Sequence, residues 1–378
     1  MTVVGVVTVP PHPHGIVSGA LYATWTNLGV MWCLIKVFKT PIVAVAMILA
    51  LLFIGLGSLR AQTAKSPIAK GLSAKTLSVK DFTGQFMPYR AFDKLEQNPM
   101  TVKGGTLDIR IAPGRFNIGE RAVRNWIRRS ANAVITYYGR FPVERVRILI
   151  VPVPGRGIKR GQAFAFRGAA IRVLLGTSSI QEDLAKDWVM VHEMVHLAWP
   201  QMNRRHAWLS EGLATYVESI ARHQAGDLSE EFIWMGFQKA MHQGMPKKGD
   251  KGLDRTHTWG RTYWGGALFC MLADINIRKA TKNRFGLQDA LRGVLAEGGN
   301  HETRADIRFA LKTGDKATGT TELIKLYDKM RKDPMKPDLV KLWRDLGVRV
   351  SGKRVRFDND APLAAVRQSI NLPSLSNG

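Results

Sequence analysis

Residues 191–197 read VHEMVHL, and the reading of this run decides the fold. Trp188, Val189, Val191, Val195 and Leu197 supply apolar positions at helical spacing, Ser179 with Glu182 matches a capping box, and Pro200 closes the pattern. A helix over 182–198 is therefore predicted. His192 and His196 stand one turn apart on one face of it, where two imidazole nitrogens can converge on a Zn²⁺ ion. Glu193 lies one residue round, placed to take a proton from a zinc-activated water and pass it to a leaving group. The apolar flanks bury the helix, and buried ionisable groups without partners are costly; a metal resolves that cost. The two cysteines, Cys33 and Cys270, are not expected to pair and cannot build a thiolate zinc site, so nitrogen and oxygen ligands are required.

A catalytic zinc of this type takes a third protein ligand and keeps an open position. Downstream candidates are His206, Glu211 and Glu218. Glu211 is favoured over His206. It sits in WLSEGLATYVE (208–218), at the predicted start of the next helix with Ser210 as N-cap, and two antiparallel helices joined by a turn would bring it near the histidines. Glu218 lies two turns further along the same face. It either holds the outer nitrogen of a ligand histidine or is an ordinary surface glutamate.

Outward from this centre, 106–111 (TLDIRI), 147–153 (RILIVPV) and 170–175 (AIRVLL) read as strands. Residues 120–138 form an amphipathic helix with Arg121, Arg124 and Arg128 on its polar face and Gly139 at the C-cap position. Further helices are predicted over 211–224, 229–243, 263–280, 287–297, 303–312, 320–331 and 337–345, then a hairpin over 348–357 that turns at Gly352. Strands followed by a helical half describe an α+β architecture. The predicted organisation is a small mixed-sheet subdomain over 104–199 that includes the zinc helix, a mainly helical subdomain over 200–347, and a hairpin with a Pro/Ser-rich tail over 348–378.

HEMVH, WLSEGLATYVE and RTYWGGALFCMLADINIR (261–278) together resemble the signature blocks of gluzincin metallopeptidases, in particular the aminopeptidase N, glycyl aminopeptidase and bacterial peptidase MA-like groups. The resemblance covers roughly 105–350 and implies a thermolysin-like zincin fold. It also implies Zn²⁺ held by His192, His196 and Glu211, Glu193 as general base and acid, and Tyr263 as donor to the tetrahedral oxyanion. Three departures stand out. Only fourteen residues separate His196 from Glu211, fewer than in the aminopeptidase N group. No G-x-M-E-N block precedes the zinc helix, so the glutamate that grips a free amine in exopeptidases has no counterpart. The approach strand 166–175 carries Arg167 and Arg172 instead of acids; if it flanks the cleft, acidic substrates are expected.

Before the globular region, 41–57 (PIVAVAMILALLFIGLG) is an uncharged apolar run preceded by Lys36 and Lys39. It predicts export to the cell envelope or periplasm, with 31–61 acting as a signal peptide or as a membrane anchor. Met31 is expected to be the true start, which makes 1–30 an extension; 62–103 reads as a linker or arm. The net charge of +25 over 378 residues attracts anionic partners such as envelope polymers. Nucleic acid is not expected, because no recognition motif accompanies the charge and the export signal opposes it. The function expected is thus hydrolysis of a peptide or protein substrate. The alternative is a catalytically silent envelope protein that binds anionic polymers, and the presence of Glu193 argues against it.

Overall fold

The computed structural model describes residues 77–373 and the two-residue strand Val7–Thr8. Numbered along the chain, the strands are β1 (Val7–Thr8), β2 (Asn98–Val102), β3 (Gly105–Ile111), β4 (Arg145–Val153), β5 (Ile158–Phe164), β6 (Ala170–Gly176), β7 (Val348–Ser351) and β8 (Arg354–Phe357). The first six form one mixed sheet in the order β1-β5-β6-β4-β3-β2, parallel between β3, β4 and β6 and antiparallel elsewhere. The architecture is the α+β one expected.

Strand alternation gives the sheet two different faces. On one, Leu107, Ile109, Ile148, Ile150, Ile171 and Val173 pack into the main core with Val123, Trp126 and Ile127 of helix α2 (Gly119–Tyr138). That helix ends as predicted, with Gly139 at φ 82° and its N–H on the Ile135 carbonyl. On the other face, Leu149, Val151, Phe164 and Ala170 meet Phe82, Met87 and Phe92. Residues 77–102 are therefore not a linker. They contain a 3-10 turn (Val79–Phe82), the short helix α1 (Tyr89–Phe92) and strand β2, and they cover the back of the sheet.

Two buried arginines tie that cover down. Arg110 donates to the carbonyls of Phe92 and Leu95 while paired with Asp108. Arg172 donates to the carbonyls of Phe82 and Phe86 and to Gln162 Oε1, with its charge over the Phe164 ring. Arg172 thus lies on the face of the sheet opposite the main core, and Arg167 sits in the β5–β6 turn at φ 59° with its carbonyl taken by Arg147. The expectation that this strand lines a cleft with arginines is overturned by its pleat.

The predicted helix 182–198 is broken in two, α3 (Gln181–Ala185) and α4 (Val189–His196). Between them the Asp187 carboxylate accepts the Val189 and Met190 amides and the Trp126 indole N–H, which starts a new helix. Ser179 makes no capping box: its hydroxyl accepts from Gly157 N and donates to Gly176 O. The helical half follows as α5 (Ala207–Gln224), α6 (Glu230–Ala240), α7 (Gly266–Thr281), α8 (Leu287–Ala296), α9 (Ile307–Thr318), α10 (Glu322–Met330) and α11 (Leu339–Asp345). After the β7–β8 hairpin the expected tail is instead helix α12 (Ala364–Asn371), held by Arg367 on the Leu346 carbonyl and by Asn371 on the Trp234 indole. Among the described residues no helix is long and apolar enough to cross a membrane. The apolar run 41–57, Met31 and Cys33 lie outside the described residues; Cys270 is buried and free.

Candidate metal centre

All eight residues of α4 are buried, and its second turn meets the first turns of α5. Glu211 Oε2 lies 3.3 Å from His192 Nε2 and 3.5 Å from His196 Nε2. The three side chains each offer a ligand atom within 4.8 Å of the others. His196 Nε2 has no hydrogen-bond partner despite complete burial, and neither has His192 Nδ1. Two imidazole nitrogens and one carboxylate oxygen converging among buried side chains are a donor set that suits Zn²⁺ and is costly without it. The residues present therefore fit the metal.

Electrostatics agree with this arrangement. Burial works against the Glu211 carboxylate, but the adjacent histidines outweigh it and hold the group ionised, pushed down to about 2. Burial keeps His192 below the ordinary histidine range, whereas at His196 the Glu211 charge overcomes burial and raises it. Glu193 is buried with both oxygens unpartnered; burial pushes its carboxyl up to about 8, against the opposing pull of His196.

Strand β5 explains why Glu193 is so enclosed. A Cβ on Gly161 would fall 2.4 Å from Val189 Cγ1 and 2.8 Å from Glu193 Oε1, so only glycine lets the strand lie against α4 there. The sequence reading missed Gly161 because it interrupts the alternation of IKRGQAF (158–164), and no acidic residue occurs on this strand.

The close crossing of α5 and α7 brings in Tyr263. A Cβ on Gly212 would sit 2.2 Å from the Gly266 carbonyl carbon, and one on Gly266 2.0 Å from the Trp208 oxygen. Backbone therefore touches backbone. Just before α7 the chain forms a π-helical turn, Arg261–Gly265, a distortion frequent at functional sites. Tyr263 on that turn stacks over His192 at 6.4 Å and under Trp259 at 5.9 Å. Burial, then the charges of Glu211 and Glu193, keep its phenol protonated.

The other candidates fall elsewhere. His206 has both nitrogens engaged, Nδ1 with Asp254 at 2.9 Å and Nε2 with Arg205 at 2.9 Å, so it is not a ligand. Glu218 is buried, neither a surface glutamate nor a partner of a histidine; it binds Arg222 at 2.7 Å and Ser219 at 2.8 Å. Ser210 is not an N-cap, because α5 begins at Ala207; its hydroxyl lies 3.0 Å from His196 Nδ1. His301, buried behind His196 and pushed down to about 3 mainly by burial, was also missed, since nothing around a lone histidine in a loop marks it.

No family profile and no curated protein matches the sequence. Solved structures do. An aminopeptidase N family protein from Idiomarina loihiensis superposes with a TM-score of 0.52 at 14% identity, over 68% of this chain and 49% of that one. An M1 zinc metallopeptidase from Deinococcus radiodurans aligns with a TM-score of 0.41 at 16% identity, over 65% of this chain and 53% of that one. The chain has a gluzincin-like peptidase fold. It spans about half the length of the solved structures it matches.

Proposed function

We propose that the protein is a zinc-dependent peptidase whose reacting centre lies between α4, α5 and the turn bearing Tyr263. One observation carries this reading: the buried convergence of His192, His196 and Glu211, with unpartnered Glu193 beside it. Bound there, Zn²⁺ would polarise the scissile carbonyl and make the attacking water acidic.

The chain's own groups supply the rest. Glu193 takes the proton that the attacking water gives up and delivers it to the amine nitrogen as the C–N bond breaks. Its enclosure by Gly161 and Val189 excludes bulk water, so the proton has few other destinations. The Tyr263 phenol, stacked over His192 and a neutral donor at working pH, would hydrogen-bond the oxygen on which negative charge develops. The absence of an acidic residue on β5 leaves no partner on that strand for a substrate's free amine. Export by the run 41–57 belongs to the same proposal, with a peptide or protein of the cell envelope as substrate.

The test is metal content measured together with hydrolysis of unstructured peptides. Wild type and Glu193→Gln are each expected to bind about one zinc per chain, and the variant to lose at least ~10²-fold in rate. Full activity in Glu193→Gln, or wild type that binds no zinc when zinc is supplied, would overturn the reading.

A further inference from the structure

Beyond His192 and Tyr263 the interior opens into a cavity of about 180 Å³. Its walls come from the residue preceding α4, from α5, from α6 and from the segment around the π-helical turn, and six large apolar side chains line it: Trp188, Phe232, Ile233, Phe237, Trp259 and Trp264. At the mouth, Phe232 is 47% and Trp259 41% exposed. Large apolar side chains left in water at the rim of an aromatic cavity mark a surface that a ligand covers. The stack Trp259–Tyr263–His192 runs unbroken from this rim to the candidate metal ligands, so whatever enters lies within one residue of the reacting centre.

Size and charge select the occupant. A cavity of ~150 Å³ lined by apolar side chains holds a benzene ring, so this one has room for a phenyl or a large aliphatic group. Of the lining residues, Glu218 and Lys239 are charged, but the Glu218 carboxylate is already held by Arg222 and Ser219. It therefore has little to offer a cationic side chain. We propose that this cavity is the specificity pocket of the site and accepts an aromatic or large aliphatic side chain from the residue beside the cleaved bond. This rests on the peptidase reading.

Gly236 provides the means of testing it. It lines the cavity from within α6, and a Cβ added there meets nothing within 4 Å. Gly236→Leu therefore fills the pocket without a backbone clash, in a helix that gains propensity by the change. Gly236→Ala adds only a methyl and controls for that propensity. Peptides carrying a single Phe, Leu, Ala, Glu or Lys in a Gly/Ser background are digested with zinc-loaded protein, and cut sites are read by mass spectrometry. Wild type should cut beside Phe or Leu with kcat/KM on the order of 10- to 100-fold above Ala. Gly236→Leu should slow cleavage of the Phe and Leu peptides at least about tenfold more than that of the Ala peptide, so that the preference is lost. Equal rates on all peptides, a preference for Glu through Lys239, or an equal slowing of all by Gly236→Leu would overturn the proposal.

A binding arm separates the pocket from the catalysis. Fluorescence of the pocket tryptophans is followed as zinc-loaded Glu193→Gln is titrated with the Phe and Ala peptides. Selective binding of the Phe peptide, lost in Glu193→Gln/Gly236→Leu, with no hydrolysis by wild type, sustains the pocket and sinks the peptidase reading. Hydrolysis without Phe-selective binding does the reverse.

Discussion

Ser210 illustrates how a residue can be recognised as important for the wrong reason. A serine before a glutamate reads as an N-cap, but the helix starts a turn earlier, after Asn203 accepts the Arg205 amide and begins a 3-10 turn. The hydroxyl is thereby freed to engage His196 Nδ1. Such a partner fixes the ring's orientation and tautomer and leaves Nε2 facing the convergence point. Ser210→Ala should fold normally and bind zinc about 10- to 100-fold more weakly; competition with a chelator measures this, and unchanged affinity would show that the contact is incidental. At this scale the sequence was informative where fixed spacing governs geometry: the one-turn separation of His192 and His196 lets both converge with Glu211. It was uninformative where a glycine acts by leaving space, as at Gly161.

At the scale of elements, Asp254 fastens the loop after α6 to the helical half. Its carboxylate accepts from His206 Nδ1, Trp208 Nε1 and the Tyr327 hydroxyl, each at 2.9 Å. Burial raises its pKa, but these three donors outweigh it and hold the group below the usual carboxylate range. The folded-state value is thus depressed. The stabilisation is complete above the ordinary carboxylate pKa and is lost as pH falls through the lower, folded value. Asp254→Asn should cost about 2 kcal/mol at neutral pH, and the deficit should shrink on acidification; urea unfolding at a series of pH values tests this, and a pH-independent deficit would contradict it. Element boundaries were the least legible feature of the sequence. The apolar periodicity of 182–198 runs straight through the break at Asp187, because the break is made by a side chain capturing two amides and not by a glycine or proline. Strand β2 was hidden by Pro99, which its edge position tolerates, and β5 by Gly161, which lets α4 approach the sheet; both residues depress strand propensity.

For the whole molecule, the cover over 77–97 matters more than its distance from the centre suggests. Phe82, Met87 and Phe92 are buried against the back of the sheet, and burial of such side chains is worth about 1.5–3 kcal/mol each. Their sum is of the order of a domain's entire stability, typically about 5–15 kcal/mol. A chain beginning at residue 98 should therefore aggregate or show non-cooperative unfolding, whereas one beginning at residue 75 should fold and retain zinc binding. Circular dichroism melts of both decide the matter, and a cooperative transition in the shorter chain would refute it. The α+β class was legible because the strands and long helices keep clean periods. The cover was not, since its three apolar side chains follow neither a helical nor a strand period and Arg110 and Arg172 fix it by donating to backbone carbonyls, contacts that no side-chain pattern encodes.

The crossing at Gly212 and Gly266 has a last consequence. Two adjoining positions, 211 and 263, owe their separation to main chain resting on main chain, a spacing that does not depend on the identity of the surrounding side chains. Substitutions elsewhere along α5 and α7 can accumulate without shifting Glu211 relative to Tyr263, while a single methyl at either glycine would wedge the two apart. A chain built this way can drift far in composition and keep its working dimensions, which accords with a shared fold at 14% identity.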